Sequence, residues 1–358
     1  MLTTAGTDVT ALVRQMLGDP RAEIAERREE PIGHPLALST AGLHRVSGTT
    51  TEGRPWSFVV KAIRSAKHFP MIGTLPASFR EMLLADFPWR GDADVYLSDP
   101  PLPGGLRLPR LYRLDDLGDE RLVMWLEDVE VDPAASWDLA RYRAAARLLG
   151  ALAAMRPAPH QDPPDRGLRL FCSGPAAHIM IPALRDPDTW RHPLVAAHAD
   201  PLLRTDLLAL ADRIPELLDA VAGLPHTLPH GDASPQNLLV PRDGSAEFVA
   251  IDWNWTGSSV IGSDLAQLLA GLPQAGQTEP ADLPAVHEAI ESAYTEAAGA
   301  DPAHVSLGYA ATLVLRCAWT ALPLDRLGEK PTPELEDLFR RRAGLARFIA
   351  DIGRSLRL

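Results

Sequence analysis

The chain has 358 residues, 46% hydrophobic and 23% charged, the composition of a folded globular protein long enough for two lobes with separate cores. Its formal charge of -12 argues against a nucleic-acid partner, which would call for a basic face, and is compatible with a cationic small molecule. Two cysteines, Cys172 and Cys317, are too few for a disulfide framework and lack metal-ligand spacing, so both are expected as reduced core residues.

In chain order, residues 1–8 lack the basic start and apolar middle of a signal peptide. A small-residue segment, Leu38-Ser39-Thr40-Ala41-Gly42, precedes the strand Leu43-His44-Arg45-Val46 and is expected to turn there. Residues 56–63 are rich in β-branched and aromatic side chains, which predicts a strand; period two puts Val59, Lys61 and Ile63 on one face. Ser78 followed by good helix formers predicts a short helix carrying Glu81, with a capping box between Ser78 and Glu81 as an alternative role for that acid. Residues 121–129 form a strand that loses its apolar character at Glu127-Asp128 and passes into a polar segment, the mark of a connection between lobes. Strand patterns thus concentrate before about residue 130 and helical ones after it, giving an expected boundary between lobes 1–129 and 130–358.

Helical spacing then covers 136–155, with Ser136 as its cap, and the Pro-rich 156–166 cannot extend it. Further helices are expected at 201–222, 284–298, 304–322 and 333–355, while the polar residues of 167–224 show no legible pattern. The most apolar stretch, 310–324, is broken by Arg316 and too short to cross a bilayer. A cytoplasmic location is expected, and no membrane partner.

The chemistry-bearing segment is His230-Gly231-Asp232-Ala-Ser-Pro-Gln-Asn237, followed by Phe248-Val249-Ala250-Ile251-Asp252. Short apolar runs at 238–240 and 248–251 flank an Asp243-Gly244 turn, which predicts a hairpin. Folding it brings Asn237 and Asp252 to one open end, within about 10 Å for strands about 4.8 Å apart. Phosphoryl transfer needs a carboxylate to orient an acceptor hydroxyl and take its proton, and oxygen ligands for a magnesium ion on the nucleotide phosphates. Asp232, Asn237 and Asp252 are the residue types for those parts. His230 is expected to hold the loop through its ring, and Asp264, at a helix start, to accept from exposed backbone amides there. Trp253 and Trp255 are either an acceptor wall or core.

His-Gly-Asp with Asn following, then Ile-Asp-Trp, resembles the aminoglycoside phosphotransferase family of small-molecule kinases. The resemblance implies an α+β, protein-kinase-like two-lobed fold: an antiparallel sheet with one packed helix in the N-terminal lobe, and a mostly helical C-terminal lobe. It implies ATP and Mg2+, with Asp232 as catalytic base and Asn237 and Asp252 as metal ligands. Lys61, placed by Glu81, would neutralise phosphate charge on the face that Val59 shares. Ser39, Thr40 and Gly42 would cover the phosphates, and backbone groups at Glu127 and Val129 would meet adenine. Gly231 stands where protein kinases carry Arg, Trp253-Asn254 replace their Phe-Gly, and no activation segment with a closing Ala-Pro-Glu follows Asp252; all three favour a small-molecule hydroxyl acceptor. An aminoglycoside or other antibiotic is one candidate acceptor. A metabolite kinase of choline, homoserine or sugar type, and a catalytically silent nucleotide-binding regulator, are the alternatives.

Overall fold

A computed structural model describes residues 7–33, 37–159 and 164–357. Residues 1–6 of the N-terminal segment and 160–163 of the Pro-rich one therefore lie outside the described residues. The chain divides into two compact units. The first comprises residues 1–100, 108–131 and 241–243, and the second 101–107, 132–240 and 244–358.

The first unit is built on a five-stranded antiparallel sheet whose order is Ile24–Pro31, Thr40–Thr50, Pro55–Arg64, Arg121–Glu127, Leu111–Asp116. Alternation along Pro55–Arg64 separates its side chains into two sets. Trp56, Phe58, Val60 and Ala62 form one core cluster with Val9, Leu12 and Val13 of the helix Val9–Leu17. Ile63 joins Met124 and Ala93 in a second cluster, with Val59, Trp89 and Tyr96 packed against it. Both faces of the sheet are thus covered by helices, where one packed helix was expected. Ser39 is just outside the strand Thr40–Thr50, and Thr40 and Gly42 are inside it, paired with Ile63 and Ala62 across a bulge. The expected turn at 38–42 therefore reaches no further than Ser39, because hydrogen-bonded pairing with Pro55–Arg64 begins at Thr40.

The second unit is mostly helical. Leu139–Met155 and Leu283–Ala298 pack together so closely that a Cβ on Gly150 would lie 2.4 Å from the Tyr294 carbonyl oxygen. The first of these helices is capped by Asp138, which accepts from the Arg141 amide at 2.9 Å, rather than by Ser136. The span 201–222 holds two helices, Leu203–Asp212 and Ile214–Ala222, with Arg213 and Pro215 at the break. From Pro302 the chain runs helically through a widened π turn at Leu313–Cys317. Within the 25-residue stretch Pro302–Arg326 an 18-residue window has mean hydropathy 1.3, which by length and composition alone is enough to cross a bilayer, contrary to the shorter count made from 310. Of that window 78% is buried within the fold, as in a core helix. Both cysteines are buried and unpaired, and burial pushes each thiol up to about 12.

One buried pair ties separate segments of this unit together. Asp165, with a left-handed φ of 52°, accepts from the Val260 amide at 2.8 Å and lies 2.7 Å from His226 Nε2, while His226 Nδ1 lies 2.7 Å from the Leu224 carbonyl oxygen. Two acceptors on one ring favour the imidazolium, and the bond to Asp165 foremost raises the His226 pKa above its ordinary 6.5. A raised histidine contributes stability that is complete below the unfolded value and is lost as pH rises through the folded one. The melting temperature is expected to fall as pH is raised above 6.5 through the folded pKa, and His226→Gln to remove that component; calorimetry at a series of pH values measures it.

Candidate functional site

The site in the second unit is organised by one helix face. Asp264, Gln267 and Gly271 of the helix Asp264–Gln274 lie at i, i+3 and i+7, one stripe of the helix surface. That stripe lies against the loop 230–237: the Asp264 carboxylate accepts from the His230 amide at 3.0 Å and the Gly231 amide at 2.8 Å. Gln267 Nε2 donates to Asp232 Oδ1 at 2.6 Å, and the Gln236 side chain donates to the Gly271 carbonyl at 3.0 Å. Asp264 was expected to serve amides near its own helix start; its partners are instead two loop amides more than thirty residues upstream. Burial pushes its carboxyl up from the ordinary carboxylate range, with the Gly231 and His230 amides pulling the other way.

The loop itself is tightly specified. His230 is fully buried, its Nδ1 accepting from the Asp232 amide at 3.2 Å. The ring proton therefore sits on Nε2, which donates to the Ile251 carbonyl at 3.0 Å. The ring also lies 4.4 Å from that of Trp253. These contacts join the loop to the hairpin, which is the holding role expected of His230. Gly231 has φ 84°, and a Cβ there would sit 2.2 Å from the Trp255 carbonyl oxygen.

The hairpin forms with shorter strands than expected, Leu238–Leu239 and Phe248–Ala250, paired Leu238 to Ala250, and gains a third, parallel strand at Leu106–Arg107. The Ile251 amide donates to the Asn237 carbonyl at 2.9 Å, so Asn237 stands directly beside the segment that carries Asp252. Asn237 Nδ2 donates to the Asp232 carbonyl at 2.8 Å and reaches Asp232 Oδ2 at 3.3 Å. With the amide nitrogen so committed, Oδ1 is the atom left to ligate. Asp252 has a left-handed φ of 62°, a conformation costing a non-glycine residue about 1–2 kcal/mol and found disproportionately at functional sites. One carboxylate and one amide oxygen suit Mg2+, which keeps waters and takes phosphate oxygens as its remaining ligands.

Two contributors were not anticipated. Arg316, on the π turn Leu313–Cys317, donates through Nη1 to the Gly231 carbonyl at 2.8 Å and approaches Asp232 Oδ1 through Nη2 at 3.4 Å. Its guanidinium lies 5.3 Å from the Trp255 ring centroid. Gln267 is the second. The sequence held a signal for Arg316: a lone charge in an apolar run, which folding can bury only with a partner. Trp253 is fully buried and donates to the Ala250 carbonyl at 3.0 Å, so it is core; Trp255 is half-buried beside Arg316.

In the first unit Lys61 Nζ lies 2.8 Å from Asp92 Oδ2, with the two side chains 12% and 3% exposed. This corrects the expected pairing with Glu81. On the helix Ala77–Asp86 the buried residues are Phe79 and Leu83, and Glu81, two positions from each, is turned to the exposed side. Asp92 opens the next helix, Gly91–Ser98, whose Ala93 and Val95 are buried. Removing one member of a buried ion pair strands the other. Asp92→Ala is expected to cost about 3 kcal/mol in denaturant unfolding, and Glu81→Ala to stay within about 0.5 kcal/mol of the parent.

The segment expected to meet adenine carries its own commitments. The Glu127 amide donates to the Arg110 carbonyl at 2.9 Å, and the Glu127 carboxylate accepts from the Arg110 amide at 2.9 Å. Asp128 is held by the Arg45 fork at 2.7 and 3.1 Å and by the Ser57 hydroxyl at 2.6 Å. Val129 follows, half-buried and outside the strand. The Ser39 carbonyl accepts from the Arg64 amide at 2.7 Å, which fixes that backbone at the start of its strand. A cavity of about 600 Å³ in this unit is lined in part by Ser47, Ser57, Glu127 and Asp128.

Residues 99–303, more than half of the chain, match the model of the phosphotransferase enzyme family. Comparison with curated proteins returns no match. Among solved structures, an aminoglycoside phosphotransferase from Alicyclobacillus acidocaldarius is similar with a TM-score of 0.51 at 16% identity, covering 92% of each chain. A microcompartment-associated aminopropanol kinase is similar with a TM-score of 0.48 at 16% identity, covering 96% of this chain and 98% of that one. An aminoglycoside phosphotransferase from Streptomyces rimosus gives 0.44 at 19% identity, covering 86% and 97%. The architecture is the expected protein-kinase-like α+β fold, and with more than half of its length matched, the chain belongs to the phosphotransferase enzyme family.

Proposed function

We propose that the protein is an ATP-dependent O-phosphotransferase that moves the γ-phosphoryl group to a hydroxyl of a small molecule, with an antibiotic such as an aminoglycoside as one acceptor class, working in the cytoplasm where ATP is supplied. The observation that carries this reading is the arrangement around Asn237: its amide nitrogen is spent on Asp232, its oxygen remains for ligation, and its strand neighbour leads into Asp252. In this reading Asp232 orients the acceptor hydroxyl and takes its proton. The acceptor oxygen bonds to the γ-phosphorus as the bond from that phosphorus to the bridging oxygen breaks, and ADP leaves with the electron pair.

Asn237 Oδ1 and the Asp252 carboxylate would hold Mg2+, which when bound neutralises charge on the phosphate oxygens. In the first unit Lys61 would be the phosphate-charge partner, kept in place by Asp92. Val59, on the same strand face as Lys61, and the backbone at Glu127 and Val129 would meet the base, and Ser39, Thr40 and Gly42 would lie over the phosphates. The net charge of -12 supports acceptors bearing amines, through long-range attraction.

An acceptor panel tests the reading. The protein is incubated with ATP, magnesium and, separately, aminoglycosides, other hydroxyl-bearing antibiotics, choline, homoserine, amino alcohols and sugars, and products are read by mass spectrometry. The addition of one phosphoryl group to an antibiotic is the expected outcome. Transfer only to a metabolite would reassign the acceptor class, and magnesium-dependent nucleotide binding with no transfer to any member would favour a regulatory protein.

A further inference from the structure

Beyond the base and the metal ligands, two side chains from two helical segments converge on one oxygen of Asp232, and a third holds one of them. Gln267 Nε2 donates to Oδ1 at 2.6 Å and Arg316 Nη2 approaches the same oxygen at 3.4 Å. The third acts at one remove: Cys317 Sγ donates to Gln267 Oε1 at 3.1 Å. An amide can present either end to a neighbour; the carboxylate, which only accepts, faces Nε2, and the thiol as donor holds Oε1 in the complementary orientation. With Oε1 taken by the S–H, Nε2 is the end aimed at the carboxylate. Cys317 is fully buried and burial pushes its thiol up to about 12, so it stays a donor at neutral pH. Among the described residues the opposite oxygen, Oδ2, has only the longer 3.3 Å contact from Asn237. Arg316 and Cys317 are successive residues of the π turn Leu313–Cys317, and such widened turns recur at functional sites.

We propose that Gln267, its amide set by Cys317, and Arg316 are positioning residues for the base: they hold Oδ1 of Asp232 so that Oδ2 is the oxygen presented to the acceptor hydroxyl. The inference rests on the reading of Asp232 as the base. Neither residue touches the reacting atoms; both act through the carboxylate. Charge-assisted hydrogen bonds of this kind are the strong ones, and a carboxylate free to rotate gives up part of the advantage of a preset geometry.

The test follows magnesium-dependent ADP release from the full-length protein with water as acceptor, and with whichever member of the acceptor panel reacts fastest. Gln267→Leu, the isosteric Gln267→Glu, Arg316→Met, Arg316→Lys, Cys317→Ala and Asp232→Asn are compared with the parent, and binding of a nonhydrolysable ATP analogue reports folding. Gln267→Leu is expected to lower kcat on the order of tenfold to a hundredfold with the KM for ATP unchanged within about twofold. Gln267→Glu, which keeps the shape but replaces the donor to Asp232 Oδ1 with a like charge, should lower kcat in the same way. Arg316→Lys should recover part of what Arg316→Met loses, and Cys317→Ala should lower kcat less than Gln267→Leu. If Gln267→Leu and Gln267→Glu both keep the parent kcat while Asp232→Asn is inactive, positioning is overturned and the base stands. If Asp232→Asn is as active as the parent, the base reading itself fails. Should Gln267→Leu not fold, the isosteric variant and Cys317→Ala decide.

Discussion

Asp232→Asn is expected to lower the rate of phosphoryl transfer on the order of 10³-fold, within the range that general bases contribute, while nucleotide binding changes little. The asparagine side chain fills the same space but has no ionised oxygen to take the acceptor proton. It would also turn an NH2 group or a weaker carbonyl toward Gln267 and Arg316, which now face a carboxylate at 2.6 and 3.4 Å. The backbone contacts that shape the loop do not involve the Asp232 side chain: the His230 and Gly231 amides go to Asp264, and the Asp232 amide to His230. The fold should therefore survive. Turnover with the fastest panel acceptor and isothermal titration with a nonhydrolysable ATP analogue separate the two effects, and turnover within tenfold of the parent would exclude Asp232 as the base.

Gly231→Ala is expected to be severely damaging for so small a substitution. The position has φ 84°, and the added methyl would lie 2.2 Å from the Trp255 carbonyl oxygen, 2.5 Å from its carbon and 3.0 Å from the Thr256 amide. Those are backbone atoms, held in turn by the Thr256 hydroxyl, which donates to the Pro229 carbonyl at 2.8 Å. No rotamer change relieves the clash. Left-handed strain alone costs about 1–2 kcal/mol, and displacement of the loop would break the Asp264 and Arg316 contacts as well. A total loss on the order of 4 kcal/mol and a melting temperature roughly 10 °C lower are expected, with no transfer activity in the remaining folded protein. Calorimetry and the transfer assay measure both. The same geometry explains why glycine, and not the arginine of protein kinases, can stand before this aspartate.

Much of the second unit's site could be foreseen because its parts are close in sequence. Asp232, Asn237 and Asp252 fall within one loop and one hairpin, and local rules of turn and strand suffice to bring Asn237 beside the chain entering Asp252. His230 was legible for the same reason. Gln267 and Arg316 were not, since they reach the loop through tertiary packing of helices that begin more than thirty and more than seventy residues later. Only the stripe Asp264, Gln267, Gly271 and the isolated charge of Arg316 hinted at it. The Asp264 clamp was expected at the wrong target because local capping is the commoner use of an aspartate at a helix start. In the first unit, the strand carrying Lys61 was readable from its β-branched residues, but its partner was not. The choice between Glu81 and Asp92 depends on which helix turns its acid inward, and that is set by Phe79 and Leu83 on one helix and Ala93 and Val95 on the other. The small residues at 38–42 suggested a turn, yet the ladder with Pro55–Arg64 extends to Thr40 and takes in Thr40, Ala41 and Gly42.

The central claim, that the second unit holds a metal for phosphoryl transfer beside its base, is tested most directly by a crystal structure with manganese and a nonhydrolysable ATP analogue, the ion located by anomalous scattering. The account predicts the ion on Asn237 Oδ1 and the Asp252 carboxylate, completed by phosphate oxygens, with Asp232 Oδ2 unligated. An ion bound elsewhere, or held by Asp232 in place of Asn237, would contradict it.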